Sequence, residues 1–129
     1  MEYRIIGDIV PAVEMKLNSG ESVFTQSGGM VWQSEDIEMQ TDTKGGIMKG
    51  IGRMFAGDSL FMNTYKATKD GATVAFASTV PGKIVPLTLD NNHPGLVAQK
   101  GAFLCAENGI NLNAIINNIT FVIFIYCYV

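Results

Sequence analysis

The chain has 129 residues, of which 47% are hydrophobic and 16% charged, and its formal net charge is -3 at pH 7. This length is typical of one domain with its own core, and the composition excludes an intrinsically disordered chain. The acidic balance disfavours sequence-independent binding to nucleic acid, which depends on clustered Lys and Arg.

Short extended segments separated by turns dominate the chain. In residues 12–17, Val13, Met15 and Leu17 alternate with charged residues, which predicts a half-buried strand. With turn signals about every 8–12 residues, this texture predicts an all-β antiparallel sandwich or barrel-like domain. The other predicted strands are residues 22–26, 30–33, 37–41, 59–67, 72–78, 84–89, 96–100, 102–106 and 110–116.

Two local features refine this prediction. The tetrapeptide Thr68-Lys69-Asp70-Gly71 has the composition of a hairpin turn. Pro86 interrupts the strand predicted at residues 84–89, and because proline has no backbone N–H, the strand is expected at a sheet edge or a bulge.

A glycine-rich segment at residues 45–57 breaks the β pattern. Its large apolar residues recur at helical spacing among basic residues, although each glycine inside a helix costs up to about 1 kcal/mol. We therefore expect a short amphipathic helix or loop near residues 46–56 that is stable only when docked. One interpretation is contact with a protein partner or membrane surface; the other is a loop whose glycines permit positive φ and close packing. The predicted contact residues are Ile47, Met48, Lys49, Ile51, Arg53, Met54 and Phe55.

Patterns for catalysis, metals and cofactors are weak. Gly50 is followed by Ile51 and Gly52, not by the Lys and Ser/Thr of a phosphate-binding loop. His93 is the one histidine of the chain, so a histidine metal cluster cannot form, and Cys105 lies in an apolar stretch typical of a core. We predict no catalytic, metal or cofactor-binding residue and a protein that is not an enzyme.

Three further features bear on surface and compartment. Trp32 is expected in the core or as an interface anchor. The acidic residues Glu35, Asp36 and Glu38 are expected to form a solvated edge that discourages aggregation. No secretory signal is apparent, and the apolar run at residues 119–129 is too short to span a membrane, so we expect a cytoplasmic protein with membrane periphery as the second setting.

Several segments together resemble one family. In chain order they are Glu14–Leu17, Gly20–Val23, Ser27–Trp32, Gly45–Gly46, Arg53–Phe55, Gly57–Asn63, Ala75–Ser78, Pro81–Ile84 and Gln99–Leu104. The chain resembles bacterial relatives of the altered-inheritance-of-mitochondria, or mitochondrial-biogenesis, family over about residues 1–113. The resemblance implies a TRAP-like fold, that of the tryptophan RNA-binding attenuation protein, with β-sandwich units in a ring-like homo-oligomer. It supplies no catalytic motif, and its mitochondrial members are tied to inner-membrane organisation.

We expect residues 1–113 to form this β-sandwich unit and residues 114–129 to depart from the family pattern. The last 22 residues carry no charge, and the run TFVIFIYCYV is apolar on both alternating faces. We interpret the chain as a truncated or frameshifted member; the alternative is a genuine terminal strand buried in an oligomer.

The resulting functional prediction is a β-sandwich that acts through self-assembly and through protein or membrane-periphery contacts. Two alternatives remain open: an RNA-binding ring, suggested by analogy of fold, and a sandwich that binds a small molecule.

Overall fold

The computed structural model describes residues 1–26, 28–42, 62–92, 96, 102–110 and 121–127, of which residues 26, 42 and 121–127 are described by their backbone alone. The described residues form ten strands. In chain order they are β1 (Glu2–Ile6), β2 (Ala12–Leu17), β3 (Ser22–Gln26), β4 (Met30–Gln33), β5 (Ile37–Asp42), β6 (Met62–Ala67), β7 (Ala72–Ala77), β8 (Lys83–Leu89), β9 (Phe103–Glu107) and β10 (Phe121–Cys127).

The strands form two sheets. One has four strands in the order β1-β2-β7-β4, and the other has six in the order β5-β6-β3-β9-β10-β8. All neighbouring strands pair antiparallel. The two sheets pack on a shared apolar core, which confirms the predicted all-β antiparallel sandwich. The helix or loop predicted near residues 46–56 lies outside the described residues.

A bent two-stranded ribbon links the sheets. Strand β2 pairs with β7 in the four-stranded sheet, and their continuations β3 and β6 pair in the six-stranded sheet. At the bend, the Gly20 amide donates to the Ala67 carbonyl and the Gly71 amide donates to the Leu17 carbonyl, both at 2.9 Å. The ribbon therefore passes from one sheet to the other without losing its hydrogen bonding.

Glycine is required at two positions of this bend. Gly20 has φ +86° and Gly71 has φ +81°, in the left-handed region that side chains with a Cβ rarely adopt. An added Cβ at Gly20 would meet no atom within 4 Å, so conformation and not crowding selects glycine there.

The core lies between the inner faces of the two sheets. Val13, Met15 and Leu17 of β2 are fully buried, and each pairs with a buried residue of β7. The ring of Tyr65 on β6 meets the ring of Phe76 on β7 edge to face, with 5.4 Å between centroids. Because β6 and β7 belong to different sheets, this aromatic contact joins the two layers.

A second apolar cluster occupies the outer face of the six-stranded sheet. Phe24 is buried there, pairs with Ala106 of β9 and stacks on Phe103 at 5.6 Å between ring centroids. Met62 and Leu89 belong to the same cluster. The larger sheet is thus apolar on both faces, as expected of a sheet covered on both sides.

A β-bulge shapes the middle of the six-stranded sheet. On β10, Phe124 pairs with Cys105 and Ile125 pairs with Phe103, so Leu104 has no residue opposite it in the ladder described between β9 and β10. The hydroxyl of Thr25 donates to the Leu104 carbonyl at 2.5 Å, and Thr25 is itself buried. The buried Thr25 side chain therefore ties β3 to β9 at the bulge.

Several sequence predictions need correction or extension. Thr68-Lys69-Asp70-Gly71 is a turn but not a hairpin, because it connects β6 in one sheet to β7 in the other. The strand β1 was not predicted, whereas β8 with Pro86 lies at a sheet edge as predicted.

The prediction that residues 114–129 depart from the family pattern stays a prediction. The backbone of β10 lies between β9 and β8, so residues 121–127 pair within the chain. The expected departure of residues 114–129 from the family pattern is not addressed by this pairing.

We predict that Thr25→Val lowers the free energy of unfolding by about 1–2 kcal/mol, because it removes the buried hydrogen bond to the Leu104 carbonyl while preserving side-chain shape. Denaturant unfolding of the purified protein measures the change. Thr88→Val, at an exposed position of β8, is the matched control, with an expected change within about 0.5 kcal/mol. Equal effects of the two substitutions would contradict the role given to Thr25.

Candidate functional site

The most prominent surface feature is an exposed apolar edge at the beginning of the chain. Its five large apolar side chains are between 41% and 74% exposed, within a span of eight residues. Clustered exposure of this kind marks interaction sites, whereas scattered exposed apolar residues need no explanation. We call this group the N-terminal edge: Tyr3, Ile5, Ile6, Ile9 and Val10.

Sheet register explains why part of this edge is uncovered. Tyr3 pairs with Met15 and Ile5 pairs with Val13, both of which are fully buried. Directly paired residues share a face of an antiparallel sheet, so Tyr3 and Ile5 continue the inner face of the four-stranded sheet. Their exposure means that the inner face extends one strand beyond the part that the other sheet covers.

The loop that follows β1 is held to the body of the protein. Gly7 adopts φ +88°, and the Gly82 amide donates to the Ile9 carbonyl at 3.0 Å. Ile9 is the most exposed large apolar residue of the described chain. Its backbone is therefore fixed while its side chain points to solvent, which keeps apolar surface available for a partner.

The described strands leave four sheet edges, and three of them carry features that discourage pairing. The β8 edge contains Pro86, and the β5 edge carries Glu38. The β4 edge has four residues and an irregular register between Met30 and Trp32. Strand β1 contains no proline and its five residues pair in continuous register with β2. Its acid, Glu2, is balanced by the base Arg4 on the same strand.

An ion pair lies on the outer face of β1. The Arg4 Nε atom is 2.6 Å from a carboxylate oxygen of Glu14, and this hydrogen bond raises the pKa of Arg4 above its ordinary value. Glu14 is half-buried and pairs in register with Ala75, which pairs in turn with Trp32. The same face thus carries a charged pair at β1 and an aromatic side chain at β4.

Trp32 and the acidic residues can now be placed. Trp32 is 40% exposed, so its assignment to the core is wrong and the interface-anchor alternative remains a prediction. Glu35 and Glu38 are exposed as expected of a solvated edge. Asp36 is half-buried, and its carboxylate accepts from the Lys69 ammonium at 2.8 Å.

Cys105 has the properties of a core thiol. It is fully buried, and desolvation raises its pKa well above the ordinary value for cysteine. A nucleophilic cysteine needs a lowered pKa and access to solvent. The described environment of Cys105 provides neither, in agreement with the interpretation from its apolar neighbours.

An open polar depression of about 360 Å³ lies beside the first residue of the chain. Its main carboxylate is already engaged: one oxygen of Glu21 accepts from the Asn18 amide at 2.7 Å and the other from the Met1 ammonium at 3.0 Å. These contacts lower the pKa of Glu21, the Asn18 hydrogen bond most strongly, against the opposing effect of desolvation. The lining residues are Met1, Gly20, Glu21, Ser22, Glu107 and Asn108.

The described residues hold no group of three or more His, Cys, Asp or Glu side chains that could bind a metal ion. His93 lies outside the described part of the chain. So do all predicted contact residues of the glycine-rich segment, namely Ile47, Met48, Lys49, Ile51, Arg53, Met54 and Phe55. The N-terminal edge was missed by the sequence predictions, although four aliphatic residues in positions 5–10 were a usable signal.

The sequence is similar to an uncharacterized protein, M6_Spy0233, of Streptococcus pyogenes serotype M6. The two are 36% identical over an alignment of 104 positions, and the match covers 75% of this chain and 41% of that protein. The chain therefore spans about two fifths of that relative's length.

The structure is similar to the crystal structure of SPYM3_0169 from Streptococcus pyogenes, with a TM-score of 0.59 and 27% sequence identity. The match covers 98% of this chain and 61% of that one. It agrees with the β-sandwich architecture described above.

In the described residues, no helix combines the length and the apolar character needed to cross a membrane.

The family described as mitochondrial biogenesis AIM24 matches residues 3–124. This match agrees with the resemblance seen in the sequence motifs and includes the N-terminal edge and the core. The chain belongs to the mitochondrial biogenesis AIM24 family.

Proposed function

We propose that this protein is a non-enzymatic assembly module that acts through self-association and through protein or membrane-periphery contacts. The observation that carries the proposal is the N-terminal edge, where five exposed apolar side chains lie on and beside a regular, unblocked edge strand. Such an edge offers apolar area to a partner, and a partner strand can extend the sheet there.

Burial of the N-terminal edge would complete the sandwich. Tyr3 and Ile5 lie on the inner face beside Met15 and Val13, so a partner covering them would extend the existing core. Burying a fully exposed side chain of this size contributes about 1.5–3 kcal/mol. Because Tyr3 is 45% and Ile5 41% exposed, each contributes less than half of that to association, before the cost of ordering is subtracted.

The charge distribution favours a protein partner over RNA at this surface. Strand β1 has one cationic side chain, Arg4, which contacts Glu14 through Nε and shares the strand with a second acid, Glu2. Phosphate binding needs several available cations, and base stacking needs aromatic platforms. The N-terminal edge has one aromatic residue, Tyr3, among four aliphatic ones.

We predict that Ile5→Lys weakens self-association at least tenfold, a loss of about 1.4 kcal/mol or more, because it places a charge in the buried interface. Light scattering after size-exclusion chromatography over a concentration series measures the effect. Met39→Lys is the matched control, because Met39 is 50% exposed on β5, the edge strand of the other sheet. A wild-type protein that stays monomeric throughout the series, or equal effects of the two substitutions, would overturn self-association through this edge.

Membrane contact is assigned to the glycine-rich segment. Its sequence places Met54 and Phe55 on an apolar stripe beside Arg53, a pattern typical of segments that lie on anionic membranes. We predict that the protein floats with vesicles containing anionic lipid and that Met54→Asp with Phe55→Asp abolishes flotation. Neutral vesicles and the Ile5→Lys variant are the controls. Failure of the wild type to float would remove membrane contact from the proposal while leaving self-association to be judged on the mass measurement.

A further inference from the structure

We propose that two copies of this chain join by antiparallel pairing of their β1 strands, with a two-fold axis at Tyr3. The pairing would merge two four-stranded sheets into one continuous sheet of eight strands. This inference rests on the proposed self-association and specifies its partner, strand and register. Two observations carry it: the unblocked β1 edge and the complementary charges of Glu2 and Arg4 along it.

Symmetry restricts the possible registers. Antiparallel pairing about a two-fold axis perpendicular to the sheet places one residue of β1 opposite its own copy and keeps the inner faces of both sheets on the same side. The centre must then be one residue of the strand. Centres at Tyr3, Arg4 and Ile5 are the three that keep at least half of the strand paired.

The charges select among these centres. With Arg4 at the centre, two like charges lie directly opposite each other, which is destabilising. With Ile5 at the centre, Arg4 lies opposite an apolar Ile6 of the partner subunit. With Tyr3 at the centre, Glu2 lies opposite Arg4 of the partner subunit, and the symmetry forms this ion pair twice. Only the last register pairs opposite charges.

The same register matches the inner faces. Tyr3 meets Tyr3 of the partner subunit, and Ile5 meets Met1 of the partner subunit. Met1 already packs against the core, and Tyr3 and Ile5 continue the inner face. The exposed side chains of Tyr3 and Ile5 in each copy would therefore be partly covered by apolar side chains of the other. Both ion pairs would lie on the outer face, beside Glu14.

Pairing of β1 with a different edge is less favourable. Strand β8 lacks one donor at Pro86, and β5 would set Glu38 along a strand that already carries Glu2. Strand β4 is short and has an irregular register. A second β1 strand is the partner edge without these faults among the described strands.

Cysteine cross-linking tests the register. Opposed residues in an antiparallel pair have Cα atoms about 4.5–5.5 Å apart, which is within the range of a disulfide. Tyr3→Cys should therefore give a covalent dimer under mild oxidation, with two thiols losing two electrons and two protons to the added oxidant. Ile5→Cys is the matched control, because its two copies would lie about 13 Å apart along the strands, beyond disulfide reach. Wild-type protein, which contains Cys105 and Cys127, reports the background.

Charge reversal tests the ion pairs by complementation. Glu2→Arg places Arg opposite Arg4 of the partner subunit, and Arg4→Glu places Glu opposite Glu2 of the partner subunit. Each variant alone should therefore associate at least tenfold more weakly than wild type, whereas an equimolar mixture should form a heterodimer close to wild-type strength. The mixture restores both ion pairs across the two-fold axis. Arg4→Glu also sets a carboxylate opposite Glu14 within its own subunit, so the thermal unfolding of each variant alone is measured to separate this effect from the loss of the ion pairs.

The outcomes separate this inference from the proposed function. Cross-linking of Tyr3→Cys but not Ile5→Cys, together with rescue in the mixture, supports pairing at Tyr3. If Ile5→Lys weakens association but Tyr3→Cys stays uncross-linked and the mixture is not rescued, self-association stands and this register is wrong. If wild-type protein is monomeric at every concentration, both are wrong.

Discussion

The structure depends on the contact between its two sheets around Tyr65 and Phe76. This edge-to-face pair joins β6 to β7, and the residues beside it on β2 and β7 are fully buried. The six-stranded sheet covers Val13 and Met15 but leaves their pairing partners on β1, Ile5 and Tyr3, exposed. The same packing that stabilises the sandwich thus defines where its apolar inner face runs out into solvent.

The bent ribbon explains how the two sheets keep their relation to each other. One pair of strands, β2 with β7, continues as another pair, β3 with β6, through hydrogen bonds at Gly20 and Gly71. Because β2 with β3, and likewise β6 with β7, contribute one strand to each sheet, the packing of the core and the pairing register of β1 with β2 are linked. A change in the core register would shift every side chain of β1 as well.

Much of this fold could be predicted from the sequence. Alternation in residues 12–17 identifies the buried face of β2, and Pro86 identifies β8 as an edge strand. The corner at residues 68–71 could not be distinguished from a hairpin, because both need the same turn-forming residues. The pairing of the turn with Leu17, distant in sequence, makes it a corner.

The candidate site was less predictable for a physical reason. Glu2 and Arg4 alternate with Tyr3 and Ile5, but this strand pattern spans only four residues before the apolar Ile6 breaks it. The sequence pattern also cannot show that the whole strand is exposed. The importance of β1 arises from its surroundings. Its neighbour β2 is buried, the other edge strands β4, β5 and β8 carry features that discourage pairing, and the loop after β1 is held by the hydrogen bond from Gly82. The basic apolar stripe at residues 47–55 is visible in the sequence and remains a prediction.

The central claim is that β1 is an interface strand and not a free edge. Hydrogen–deuterium exchange of the backbone amides of residues 2–6, followed over a series of protein concentrations, tests it most directly. If β1 is an interface strand, exchange at alternate amides of β1 slows as the protein concentration rises, while exchange at amides of the β5 edge stays unchanged. Rapid exchange of β1 at every concentration would contradict the account.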